Sequence, residues 1–147
     1  VRWFSFLLLL LTVGCGSSEK GPELVPYSGV VSLDGQPLSD AVITFHPQES
    51  GQNGAFGQTN ESGEFTLTSG KRPGVIPGSY KVTISRIVAA NGATVNPEEG
   101  MDIEQLMMSG QASESIPEKY SNLQQTQLTA EITESPDTPP SFELSSS

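Results

Sequence analysis

Histidine, cysteine and tryptophan each occur once in these 147 residues, and basic side chains are few. With His46 as the one imidazole and no thiol to spare, a hydrolytic zinc centre lacks the two or three histidine-type ligands such centres use. A single cysteine cannot form an internal disulfide. Seven Lys and Arg face seventeen Asp and Glu, a net charge of −10. That balance argues against nucleic acid, whose phosphates reward cations, and against electrostatic docking on anionic lipid. No Gly-x-Ser-x-Gly elbow is present, and the serines lie in polar loops rather than in a nucleophile turn. Asp34, Asp40, Glu61 and Glu64 sit near turns, but no Asp-x-Asp-x-Asp-Gly run gathers the six to eight oxygens that calcium prefers. They read as solvated acidic faces. No metal and no cofactor is expected. Long helical patterns are also scarce, while Gly, Pro, Ser and Thr are plentiful, which points to an all-β chain with many turns.

The longest apolar run, Trp3 to Val13, covers eleven residues. A spanning helix needs about 20, whereas a signal-peptide core needs about 7–15. Arg2 precedes the run, and Thr12-Val13-Gly14-Cys15 follows. This looks like a bacterial lipoprotein signal peptide with its lipobox, although Thr12 stands where such motifs usually carry Leu. The resemblance implies cleavage before Cys15 and lipid on its sulfur. Thioether attachment also removes a thiol that would otherwise be reactive in an oxidising compartment. Residues 1–14 are then a signal peptide, and residues 15–26 a lipidated N-terminus and polar flexible tether. Gly16, not Asp, follows the cysteine, and by lipoprotein sorting rules that favours the outer membrane over the inner. The only tryptophan leaves with the signal.

Residues 27–147 form one domain's length of chain. Tyr27 to Leu33 alternates, with Gly29, Val31 and Leu33 on one face, and Asp34-Gly35 follows as a tight turn. Asp40 to His46 is a second strand with Ala41, Ile43 and Phe45 inward, ended by Pro47. Ala55 to Asn60 is a third. Asn60 can bond the backbone two residues on in the turn to Gly63. Phe65 and Leu67 face inward on the next strand. Ser69 to Gly78 is a Gly/Pro loop carrying Lys71 and Arg72. Ser79 to Arg86 alternates most cleanly, with Tyr80, Val82 and Ile84 in and Lys81, Thr83 and Ser85 out. Leu128 to Thr133 is a late strand, and Phe142-Glu143-Leu144 a closing one. This count argues for a β-sandwich of about seven strands.

Residues 88–115 break the pattern and are too long for a hairpin loop. Asn96-Pro97-Glu98-Glu99 carries helix-start chemistry. Ile103, Leu106 and Met107 follow at i, i+3, i+4, and Gly110 supplies a stop. The spacing predicts a short helix in a variable insertion. Met101, Ile103, Leu106, Met107 and Met108 are its candidate partner-binding residues, because methionine makes soft, adaptable apolar contacts.

The ordered set Gly29-Val30-Val31-x-Leu33-Asp34-Gly35-x-Pro37-Leu38, Ala41-Val42-Ile43-x-Phe45, Thr59-Asn60-x-x-Gly63-x-Phe65 and Pro77-Gly78-x-Tyr80-x-Val82 resembles the carboxypeptidase regulatory-like domain. Ile116-Pro117-Glu118-Lys119-Tyr120, then Leu128-Thr129-Ala130-Glu131-Ile132, is similar to the ending of small lipoproteins of this family. The resemblance implies a transthyretin (prealbumin)-like β-sandwich and a non-catalytic accessory role. The hydrolases of the transthyretin fold use several His and Arg residues and a Tyr-Arg-Gly-Ser-type tail, whereas this chain has one His and ends Phe142-Glu143-Leu144-Ser145-Ser146-Ser147. No Lys lies on the first strand for the Lys–Asn isopeptide of related adhesins. The expectation is a non-enzymatic, lipid-anchored, extracytoplasmic module with a structural or protein-interaction role at the cell envelope. A carbohydrate-binding module is the alternative. The partners expected are the membrane through Cys15 and an envelope protein or glycan, with no nucleic acid.

Overall fold

The computed structural model describes residues 21–95, 100–136 and 138–147. The signal segment, Cys15 and the Asn96-Pro97-Glu98-Glu99 helix start lie outside the described residues.

Alternation along the chain is realised as two sheets sharing one core. The first is built on β1 (Ser28–Leu33), flanked on one side by β12 (Ser141–Leu144) and on the other by β2 (Gln36–Pro37) and β5 (Glu64–Thr66). The second runs in the order β11 (Thr129–Ile132), β8 (Gly78–Ser85), β3 (Val42–Pro47), β4 (Ala55–Gln58), β6 (Thr68–Ser69), β7 (Arg72–Pro73). A separate ribbon pairs β9 (Ile87–Ala89) with β10 (Ala112–Glu114), with α1 (Ile103–Met108) between them. A second short helix, α2 (Glu118–Ser121), precedes β11.

Ala41, Ile43 and Phe45 of the second expected strand, and Tyr80, Val82 and Ile84 of β8, are all fully buried. They meet Val31, Phe65, Phe142 and Leu144 from the opposite sheet. Phe45 is the hub: its ring centroid lies 5.6 Å from Tyr27, 5.8 Å from Tyr80, 6.2 Å from Phe142 and 6.4 Å from Phe65. Each such side chain taken from water contributes about 1.5–3 kcal/mol, so this cluster is the main reason the two sheets close on each other. The Tyr80 hydroxyl escapes the usual penalty of a buried polar group by donating to Ile76 O at 2.7 Å.

Turn chemistry works as the residues suggest. Asn60 Oδ1 accepts from the N–H of Ser62 at 2.9 Å and of Glu64 at 3.0 Å. Gly63 adopts φ 74°, and a side chain there would run into Val31 O.

Three features differ from the sequence expectation, and one it left open. Among the described residues the strands number twelve short segments rather than about seven, because β5 and β6 break at Leu67, β8 and β9 break at Arg86, and β2, β7 and β10 add short pairings. The closing strand β12 runs parallel to β1, with Val31 opposite Phe142 and Leu33 opposite Leu144; strand grammar carries no information about direction. Thr83, expected outward, is buried, because the Asn122–Thr126 segment and His46 cover that side of the sheet. Finally, the flexible tether does not extend to residue 26. Val25 is buried and exchanges two 2.9 Å backbone hydrogen bonds with Val75, and Arg72 Nη2 donates to Pro22 O at 3.1 Å. A single bridge of this kind leaves no periodicity in the sequence.

The registers give the sandwich two distinct ends. β8 begins at Gly78, next to Val75, and ends at Ser85. Because β3 and β4 run antiparallel in the same ladder, the β3–β4 loop joins the Gly78 end. Thr68 lies opposite Phe56 and Pro73, which turns the β6–β7 tip, Gly70-Lys71, toward that same end. The Asp34-Gly35 turn, the Asn60 turn and the β9–β10 ribbon occupy the Ser85 end.

Candidate functional site

The insertion is an arm with an ordered root. Glu114 stands at the base of β10, where its Oε2 accepts from Ser85 Oγ and its Oε1 from the Arg86 N–H, both at 2.6 Å. Arg86 reaches across with Nε to Ser39 O at 2.9 Å and with Nη1 to Ser115 Oγ at 3.3 Å. Ser115 N–H returns a bond to Arg86 O at 2.8 Å. Charge-assisted bonds of this length are stronger than neutral ones, and here they join the arm to β8. Further out, Val88 bridges Thr94, the Val95 N–H donates to Ile87 O at 2.9 Å, and Val95 is buried. Both ends of residues 88–115 are strand, and the excursion between them runs over residues 90–111.

The arm carries α1. Its cap is Asp102, whose Oδ1 accepts from the Gln105 N–H at 3.0 Å. Gly110 ends it with φ 74°, as its position suggested. No residue of the helix is buried. Ile103 and Leu106 are half-buried, whereas Met101 and Met107 are each 42% exposed and Met108 is 83% exposed. Four of the five candidate residues thus lie on one short element, with Met101 just before its cap, but they are divided in orientation. Met107, which the i, i+4 spacing grouped with Ile103, stands on the exposed side with Met101 and Met108. Beside Met108 lies an open hollow of about 440 Å³ lined also by Asp102, Glu104, Gln105 and Ser109. The surface is apolar thioether edged with carboxylate.

His46 occupies a different place, on the outer side of β3. Its Nε2 lies 2.9 Å from Thr83 Oγ1, and burial holds its pKa below the ordinary 6.5. It lines a groove of about 560 Å³ with Pro47, Gln48, Lys81, Leu123, Gln124 and Thr129. No carboxylate lines this groove to orient the ring as a catalytic base. Among the described residues, no three His, Cys, Asp or Glu side chains converge as a metal site would require.

The aromatic residues answer a different question. Tyr27, Phe45, Phe65, Tyr80 and Phe142 are core, and Tyr120 is half-buried with its hydroxyl accepting from the Ser145 N–H at 3.0 Å. Among the described aromatic residues Phe56 is the exception, 44% exposed on β4. Its neighbours Ala55 and Gly57 are buried, so the alternation of the strand turns Phe56 outward, a placement that the sequence reading did not assign. Glu114 gave no signal in the sequence, because its partners lie 28 and 29 residues away.

Compared with protein-family models, curated proteins and solved structures, the chain matches none.

Proposed function

We propose that this chain is a lipid-anchored, extracytoplasmic, non-enzymatic module of the transthyretin-like β-sandwich type, which presents its β9–β10 arm to a protein partner at the cell envelope. One observation carries the reading. A helix none of whose residues is buried, with Met107 and Met108 turned outward and exposed Met101 just before its cap, is held on a hydrogen-bonded root rather than packed into the core. Binding residues commonly sit on such excursions from a rigid scaffold. Methionine suits a surface that must fit a partner's irregular apolar side chains. The adjoining Asp102 and Glu104 favour a partner that flanks its apolar contact with Lys or Arg. The anchor part of the reading rests on the Arg2, Trp3–Val13 and Cys15 pattern, with Gly16 directing the protein to the outer membrane.

The test is site-specific photocrosslinking in intact cells from position 107, with position 50 in the β3–β4 loop as control. The expected result is a discrete crosslinked protein from position 107, lost in the triple variant Met101→Gln, Met107→Gln, Met108→Gln. A partner captured equally by the triple variant places binding elsewhere. Glycan binding is the second reading, favoured by the exposed Phe56 ring, on which a sugar face can stack. Glycan-array binding abolished by Phe56→Ala would replace the first reading.

A further inference from the structure

The segment between the expected anchor and the sandwich ends in a docked strap. Val25 and Val75 exchange both backbone hydrogen bonds at 2.9 Å, and Arg72 Nη2 donates to Pro22 O at 3.1 Å. Gly74, at φ 108°, admits the strap: a Cβ there would meet Val25 O at 2.8 Å and Leu24 Cβ at 3.1 Å. From Cys15 to Gly21 is six residues, which span at most roughly 20 Å however they are folded. The lipid therefore cannot stand far from the end of the sandwich where the strap docks. That end holds the β6–β7 tip with exposed Lys71 and Arg72. From it β8 runs eight residues, roughly 25 Å, to the arm. Charge is graded along the same axis. The arm end displays Asp34, Asp40, Glu61, Asp102 and Glu104 on turns and on the arm, with Lys119 and Arg86 as its cations. The strap end sets Lys71 and Arg72 against Glu23, Glu49 and Glu134.

We propose that Pro22–Val25 is an orienting strap, which keeps the β6–β7 end of the sandwich toward the bilayer anchored through Cys15 and points the β9–β10 arm away from it. This rests on the lipoprotein reading of Cys15. Both ends are acidic, the arm end more so, and an anionic surface therefore repels the arm end more strongly within a Debye length, about 8 Å at physiological salt. The short leash keeps the domain from turning over. The arm is thereby offered to partners beyond the lipid surface rather than within it.

The mature chain contains no tryptophan, so a single introduced indole serves as an energy-transfer donor. Lipoprotein carrying Ser50→Trp, in the β3–β4 loop at the strap end, or Ala93→Trp, on the arm, is reconstituted in phosphatidylethanolamine–phosphatidylglycerol nanodiscs containing a dansyl headgroup lipid. Strong transfer is expected from position 50 and loss of transfer from position 93. Equal transfer, or the reverse order, overturns the proposal. A second pair of variants inserts a twelve-residue Gly/Ser segment between Lys20 and Gly21, or carries Val25→Pro, which removes the N–H that Val75 O accepts. Both should bring the two positions toward equal transfer, and the insertion does not touch the fold. Unchanged asymmetry in the insertion variant overturns the strap's role. Mass spectrometry of Cys15 is read first. An unacylated cysteine refutes the lipoprotein reading, and coupling that same Cys15 to a maleimide lipid then tests the strap alone by the same two distances.

Discussion

The Glu114 carboxylate accepts the backbone N–H of Arg86 at 2.6 Å, although 28 residues separate them. Its other oxygen accepts Ser85 Oγ, so one side chain closes the ladder that the break at Arg86 would leave open. The arm's orientation therefore depends on a group outside the sandwich core.

Glu114→Ala should loosen the arm without unfolding the domain. Two donors lose a charged acceptor in a half-buried setting, a loss of about 1–3 kcal/mol. Hydrogen exchange at the Ile87–Ala89 and Ala112–Glu114 amides should rise sharply, while the β3 and β8 amides remain protected. Protection unchanged at β9 and β10 would mean the ribbon stands without Glu114.

Val82→Asp and Lys81→Asp test the β8 register. Val82 is fully buried, and an unpartnered carboxylate there belongs to the several-kcal/mol class of damage, against a typical total stability of about 5–15 kcal/mol. Lys81 is half-buried and gives one exposed bond to Leu123 O, so its replacement should cost less than about 1 kcal/mol. Thermal melts that shift alike would contradict the register.

Gly63 and Gly35 separate backbone conformation from close packing. Both have positive φ, 74° and 79°. Space around Gly35 is open, whereas a Cβ on Gly63 would strike Val31 O. Gly35→Ala should cost about 1 kcal/mol from the left-handed backbone alone. Gly63→Ala should cost clearly more, measured by urea unfolding of the two variants side by side. Equal costs would show that the Asn60 turn can move away from β1.

Stability should fall on mild acidification through His46. Burial lowers its folded-state pKa from the ordinary 6.5, so the unfolded chain takes up the proton first. The contribution is complete above pH 6.5 and is lost as pH drops through the lowered folded value. His46→Gln should flatten the melting temperature between pH 7.5 and 5. Asp34, whose carboxyl is held below 3.8 by bonding to Ser146, acts only at lower pH. A pH profile unaltered by His46→Gln would place the acid sensitivity on other groups.

Strand positions with local causes were legible before any coordinates. Ala41-Ile43-Phe45 and Tyr80-Val82-Ile84 alternate because side chains point to opposite faces at every step, and burial selects the apolar set. Gly110 stopped its helix because few other residues accept a left-handed backbone. The methionine set was visible as composition but not as orientation: whether Met107 turns in or out depends on what lies opposite it.

By itself the sequence determined the all-β class, the inward faces, the turns and the acidic surface, since each follows from interactions within a few residues. Tertiary structure decided the parallel pairing of β12 with β1, the burial of Thr83, the latch of Glu114 on Arg86 and the docking of Val25 on Val75. Each of these joins residues at least 28 positions apart, and two join single pairs or a single side chain to backbone. The physical reason is that such a contact leaves no period in the chain. It forms because the core has already brought the two segments within hydrogen-bonding distance, where an unpaired backbone or carboxylate group would otherwise be stranded.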